Sequence, residues 1–138
     1  MVLLLAVLGL SLTCRAVESH VGLIILGVLF GALGAGFGVA GSLALGANLT
    51  PFPRPRENAR LVQHGIYARV RHPLYTGVIL GSAGWALIMQ SWPALVAALI
   101  LFPFFDAKAR REENWLRGTY PDYAEYETRR RKFIPWVY

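Results

Sequence analysis

Arg71 and His72 stand directly before Pro73, in the stretch Leu61-Val62-Gln63-His64-Gly65-Ile66-Tyr67-Ala68-Arg69-Val70-Arg71-His72-Pro73-Leu74-Tyr75-Thr76-Gly77. Proline suits the first position of a helix, where its missing N–H is not needed, so this pair falls at a helix start. Free amides and the helix dipole favour an anion there, and an arginine adds a clamp for a carboxylate or phosphate. The same local pattern also fits an arginine and a histidine anchored among lipid headgroups. Glu112-Glu113 offers acceptors for an ammonium group or ribose hydroxyls. Its other reading is a solvated helix with partners at four-residue spacing, such as Lys108 and Glu112. A third cluster, Tyr120-Pro121-Asp122-Tyr123-Ala124-Glu125-Tyr126-Glu127-Thr128-Arg129, puts Tyr123 and Tyr126 three apart on one helix face. That face would close over a planar ligand or pack on a membrane interface. Arg130, Arg131 and Lys132 read more simply as contacts to anionic lipid.

The elements that must position these residues are apolar. Of the 138 residues, 55% are hydrophobic and 16% charged, well below the quarter that a soluble domain carries. Residues 1–14, 21–49 and 74–105 contain no Asp, Glu, Lys or Arg, and a spanning helix needs roughly 20 apolar residues. The expected fold is therefore an all-α integral membrane protein of about four short transmembrane helices with a cytoplasmic C-terminal helical segment, organised as a single membrane-embedded domain over 1–138. Residues 1–49 supply two spans, the first short (about Met1 to Cys14 or Val17) and the second about Val21–Leu45. Residues 50–73 form a cytoplasmic loop, opened by Pro51, Pro53 and Pro55, which stop helices, with one helical turn near Glu57–Val62. Residues 74–105 form a helical hairpin: a third span from Pro73 to about Gln90, a tight turn at Ser91-Trp92-Pro93, and a fourth span, Ala94–Phe105. The fourth span continues as a polar helix from Asp106 to Arg117, capped by Gly118. A last amphipathic helix covers about 121–131, and Phe133-Ile134-Pro135-Trp136-Val137-Tyr138 suits the membrane interface.

The net charge of +6 is localised. Arg54, Arg56, Arg60, Arg69 and Arg71 face a single acid, Glu57, over 54–71; eight further Lys and Arg lie in 108–138. Both basic stretches flank apolar spans, so the positive-inside rule accounts for them and nucleic acid is not the expected partner. A hairpin of spans three and four puts both stretches on the cytoplasmic side, and four spans put both termini there too. The same hairpin brings Glu112-Glu113 back towards Arg71 and His72. The N-terminus lacks a basic region before Leu3–Leu5, which favours a first span over a cleaved signal.

Other motifs exclude more than they assign. Gly36-Phe37-Gly38-Val39-Ala40-Gly41 fits a dinucleotide fingerprint in letters only, because that motif needs a strand before it. Inside an apolar helix it reads as close packing, like the four-residue spacings Gly27/Gly31, Gly34/Gly38 and Gly77/Gly81. Cys14 is the lone cysteine, so no intrachain disulfide or zinc ribbon exists; it reads as a small apolar helix residue. No metal site is expected. Asn48-Leu49-Thr50 is a formal glycosylation sequon on the expected cytoplasmic edge. Haem or quinone binding is disfavoured, since His20 should lie across the membrane from His64 and His72.

Taken together, Gly65-x-Tyr67, Arg71-His72-Pro73-x-Tyr75-x-Gly77, Glu112-Glu113 and Tyr120-Pro121-x-Tyr123-x-x-Tyr126 resemble the isoprenylcysteine carboxyl methyltransferase and phospholipid methyltransferase superfamily, over about residues 45–138. The resemblance implies a membrane-embedded methyltransferase using S-adenosyl-L-methionine at the cytoplasmic membrane edge. It implies that His64, Gly65, Ile66, Tyr67, Arg71, His72, Pro73 and Tyr75 line the cofactor site. Glu112 and Glu113 would hold the cofactor's polar end, with Glu113 also placed in the catalytic set. Arg129, in a looser match, would face the acceptor. That acceptor would be a lipophilic or small thiol or carboxyl compound, with a phospholipid amine second. A non-catalytic module binding anionic membrane lipids is the reading from a different class.

Overall fold

The computed structural model describes residues 1–13, 20–48 and 61–138. Among them are five α-helices: α1 (Val2–Thr13), α2 (Val21–Leu45), α3 (Pro73–Ile88), α4 (Trp92–Thr119) and α5 (Tyr123–Arg129). Short 3-10 turns cover Gly46–Asn48 and Gly65–Ala68. Helix is the form an apolar chain takes when lipid offers its backbone no hydrogen bonds. The 25 residues of α2 and the 28 of α4 are long and apolar enough to cross a membrane. The 12 residues of α1 and 16 of α3 reach about 18 and 24 Å at 1.5 Å per residue.

Met1–Gly36 and Gly77–Phe105 form one compact unit; Phe37–Thr76 and Asp106–Tyr138 form a second. In the first, small residues let backbones approach. A Cβ added at Gly34 would lie 2.6 Å from the Gly81 nitrogen and 2.8 Å from the Gly77 carbonyl oxygen. Gly27 and Gly84 are equally close, a Cβ on either meeting the other's carbonyl oxygen at 2.7 Å. Ala83, Ala86, Ala94, Ala97 and Ala98 fill the core with Val7. The buried polar groups are satisfied: the Trp85 indole donates to Ser11 Oγ (2.9 Å) and Ser91 Oγ to the Leu10 carbonyl (3.1 Å).

Several boundaries differ from expectation. Gly36 and Gly38 of the fingerprint-like run meet nothing within 4 Å; packing uses Gly27 and Gly34, with the Gly31 backbone under Gly84, and of that run only Gly41, against Pro73 and Leu74. The hairpin turn falls at Met89-Gln90, with Gln90 at φ 52°. Trp92 and Pro93 already belong to α4, and Ser91 caps it, its side chain accepting the Ala94 amide at 3.4 Å. Gly118 is not a cap: α4 runs through it to Thr119, and its φ is not positive. Helix α5 is shorter than 121–131, because Pro121-Asp122 form a turn before it and Arg130 is already extended. Leu61 and Val62 are not helical; the helical turn in this region is Gly65–Ala68, which starts where Gly65 takes φ 61°. Cys14, Arg15, Glu18, the sequon residues Leu49-Thr50, the three prolines and Arg54, Arg56, Glu57 and Arg60 lie outside the described residues.

Candidate functional site

The second unit gathers the chemistry. Its scaffold is a contact between the start of α3 and the C-terminal segment: Val70 and Arg131 form a parallel bridge. The Arg71 amide donates to the Arg131 carbonyl (2.8 Å) and the His72 amide to the Lys132 carbonyl (3.0 Å). These amide donors, expected to be open to an anion, are thus taken by the chain's own backbone, and the cationic character of this corner rests on side chains. Thr76 Oγ1 donates to the Phe133 carbonyl at 2.9 Å, and Phe133, 1% exposed, packs on the His72 ring with centroids 5.9 Å apart. Phe133 is therefore an interior residue of this unit rather than part of an interfacial aromatic run.

Arg71 and Glu113 meet as the sequence led us to expect. Arg71 Nη2 is 3.4 Å from Glu113 Oε1, and Nη1 is 2.8 Å from Glu127 Oε1. Nη1 thus faces a carboxylate, and Nε of Arg71 remains a buried donor without a hydrogen-bond partner. His72 Nε2 lies 3.0 Å from Glu113 Oε1 and Nδ1 lies 3.8 Å from Glu112 Oε2. The His72 ring stacks on Tyr75 (centroids 5.3 Å apart, planes 2° apart), and the Tyr75 hydroxyl donates to Glu112. Lys108 Nζ sits 5.1 Å from the Tyr75 ring centre.

The two acids are unequal. The Glu113 side chain is 3% exposed and is surrounded by Arg71, His72 and, at 3.8 Å, Lys132; that of Glu112 is 16% exposed. The tyrosines also divide. Tyr126 donates to the Tyr67 carbonyl (2.7 Å), fixing α5 to the Gly65–Ala68 turn, whereas the buried Tyr123 hydroxyl has no partner. Burial pushes the Tyr67 and Tyr123 hydroxyls well up and that of Tyr126 to about 12, so all three stay protonated donors. Glu127 is held below the usual carboxylate range, chiefly by its bond to Arg117.

Of the remaining expected residues, His64 and Gly65 are exposed at the start of the turn and Ile66 is half-buried. Pro73 is fully buried behind His72. Arg129 is 66% exposed and pairs with Glu125 on its own helix. Lys132, read from sequence as a lipid contact, is instead 11% exposed and paired with Asp106 at 2.8 Å. Sequence reasoning did not find Thr76, Asp106, Glu127, Lys132 or Phe133. Arg71 and Glu127 are 56 positions apart, and no local spacing announces such a pair. The one available signal was Asp106, the first charge after a long apolar run, which needs a cation nearby.

The family model described as phospholipid methyltransferase matches residues 22–123. The chain is 30% identical over 86 residues to protein-S-isoprenylcysteine O-methyltransferase B of Arabidopsis thaliana, covering 61% of this chain and 44% of that protein. It is 36% identical over 81 residues to the cobalt-zinc-cadmium resistance protein CzcN of Cupriavidus metallidurans, covering 58% and 38%. Among solved structures, the eukaryotic intramembrane Ras methyltransferase, an isoprenylcysteine carboxyl methyltransferase, superposes with a TM-score of 0.75 at 26% identity over 83% of this chain and 43% of that one. The chain thus spans less than half the length of each of these three proteins.

Proposed function

The chain belongs to the phospholipid methyltransferase family, and from that premise we propose that it is a membrane-embedded methyltransferase that takes its methyl group from S-adenosyl-L-methionine. The observation that carries this reading is the buried meeting of Arg71 and His72 with Glu112 and Glu113. The residues fit such a ligand. Arg71 keeps a buried Nε–H without an acceptor, and a buried donor left unmet costs about 1–3 kcal/mol, so a ligand carboxylate is favoured there. Glu112, the more exposed acid, is suited to an ammonium or a ribose hydroxyl. Tyr67 and the backbone of His64, Gly65 and Ile66, in the turn that Tyr126 holds, would line the rest of the site with Pro73 and Tyr75.

Bound S-adenosyl-L-methionine would supply an electrophilic methyl on a sulfonium. The chain's own part is to bind, orient and keep water away, and in an in-line displacement such positioning supplies much of the acceleration. A carboxylate or thiolate acceptor needs no general base. An isoprenylcysteine-type carboxyl is the first candidate, supported by the relatives' names and the structural likeness; a phospholipid amine is second, supported by the family description. Glu113, touching Arg71 and His72, would hold the catalytic geometry, and exposed Arg129 would meet the acceptor at the membrane edge.

The chain is an integral membrane protein, as its apolar helices and membrane-enzyme relatives support. We further read four spans, one domain and a cytoplasmic site with both termini on that side, on the strength of the charge distribution. Calorimetry of the detergent-purified protein with S-adenosylhomocysteine tests the reading. Micromolar binding, lost in Arg71→Met with the protein still folded, is expected. No binding at millimolar ligand overturns it in favour of a lipid-binding module, whose vesicle affinity would follow total charge and salt whichever arginine is removed.

A further inference from the structure

Lys132 touches the candidate site in two ways. Its carbonyl accepts the His72 amide. Its ammonium, 11% exposed, bonds Asp106 Oδ1 at 2.8 Å and approaches Glu113 Oε2 at 3.8 Å. Asp106 also accepts the Tyr138 hydroxyl (2.9 Å), and Lys132 Nζ lies 5.7 Å from the centre of the Tyr138 ring. The next residue, Phe133, is buried on the His72 ring and takes the Thr76 hydroxyl. The neighbouring arginines behave differently: Arg130 and Arg131 are exposed. A cation buried among two acids is strongly coupled to both, since the low dielectric strengthens each interaction.

We propose that Lys132 is a positioning residue of the cofactor site: its ammonium, held by Asp106 and drawn to Glu113, pins the C-terminal segment whose carbonyls fix the Arg71 and His72 backbone. Without it Glu113 loses a cationic neighbour, and Arg71 and His72 lose their anchored partner. The role in ligand binding rests on the methyltransferase reading; the anchoring of Arg71 and His72 does not.

The test uses the full chain in detergent. Amide hydrogen exchange at Arg71 and His72 and calorimetry with S-adenosylhomocysteine are measured for Lys132→Met, Lys132→Arg, Asp106→Asn and, as a surface control, Arg130→Gln. Lys132→Met is expected to speed exchange at those two amides while α2 stays protected, and to weaken ligand binding about tenfold, the effect of roughly one lost charge-assisted bond. Lys132→Arg restores both, Arg130→Gln changes neither, and Asp106→Asn gives a smaller loss of both should Lys132→Met fail to fold. Exchange at Arg71 and His72 unchanged in Lys132→Met and Asp106→Asn overturns the proposal. So does faster exchange with unchanged affinity, which would make Lys132 a fold contact only. A wild type that binds no ligand refutes the methyltransferase reading instead, and with it the ligand half of this proposal, while exchange still decides the anchoring.

Discussion

Glu112 and Glu113 share a peptide bond and little else. Glu113 is enclosed by Arg71, His72 and Lys132, so neutralising it removes a buried counter-charge that Glu127 and Asp106, the other acids on Arg71 and Lys132, replace only in part. Glu113→Gln should destabilise the protein by about 3 kcal/mol, the cost of breaking one side of a buried ionic cluster, seen as a lowered thermal midpoint in detergent. Glu112→Gln keeps an acceptor for the Tyr75 hydroxyl and should unfold near the wild-type temperature, yet bind S-adenosylhomocysteine at least tenfold more weakly, as loss of a charged hydrogen-bond partner implies. Equal stability losses in the two variants would contradict the division between them. Glu127 supplies a pH dependence. Its folded pKa lies below the usual glutamate value of 4.5, first through Arg117, so its stabilisation is complete above that value and fades as pH falls through the lowered one. Arg117→Gln should lower thermal stability at neutral pH and leave it almost unchanged once Glu127 is protonated, so that the acid side of the profile flattens. The effect should stay below about 1 kcal/mol, because the Arg117 side chain is 44% exposed and screened.

At the scale of elements, glycine spacing looks uniform along α2 and is not. Gly34 faces the backbone of α3, whereas Gly38 meets nothing. Gly34→Ala should cost about 1–3 kcal/mol by overpacking, and Gly38→Ala should be neutral or stabilising by up to about 1 kcal/mol, since alanine is the better helix former. Comparison of their unfolding temperatures decides the point; a Gly38→Ala as damaging as Gly34→Ala would mean that the open face is in fact covered. The extents of α2 and α3 and the continuity of α4 were legible from uncharged runs and from Pro73. The cap at Gly118 was misread, because nothing in the local sequence distinguishes a glycine that ends a helix from one that the helix runs through.

For the whole molecule, the basic stretches predict membrane orientation. With Cys14 replaced by serine, a cysteine at Gly118 should react with an impermeant maleimide only after right-side-out vesicles are opened. Labelling of intact vesicles would place the site on the opposite side and reverse the topology read from charge.

What the sequence settled alone was membrane character and helical class, and it offered the types of residue at the candidate site. Apolar run lengths, proline positions and charge blocks are local quantities, and lipid leaves the backbone few alternatives to helix. Arg71, His72 and the two glutamates were visible because their types are chemically expensive to place near a membrane. Which glutamate is enclosed, that Lys132 turns inward to Asp106 while Arg130 and Arg131 stay outside, and that carbonyls from the C-terminal segment occupy the Arg71 and His72 amides were decided only by tertiary structure. Those contacts join positions 19 to 60 residues apart, and no periodicity encodes them; they follow from how the C-terminal segment folds back on the start of α3.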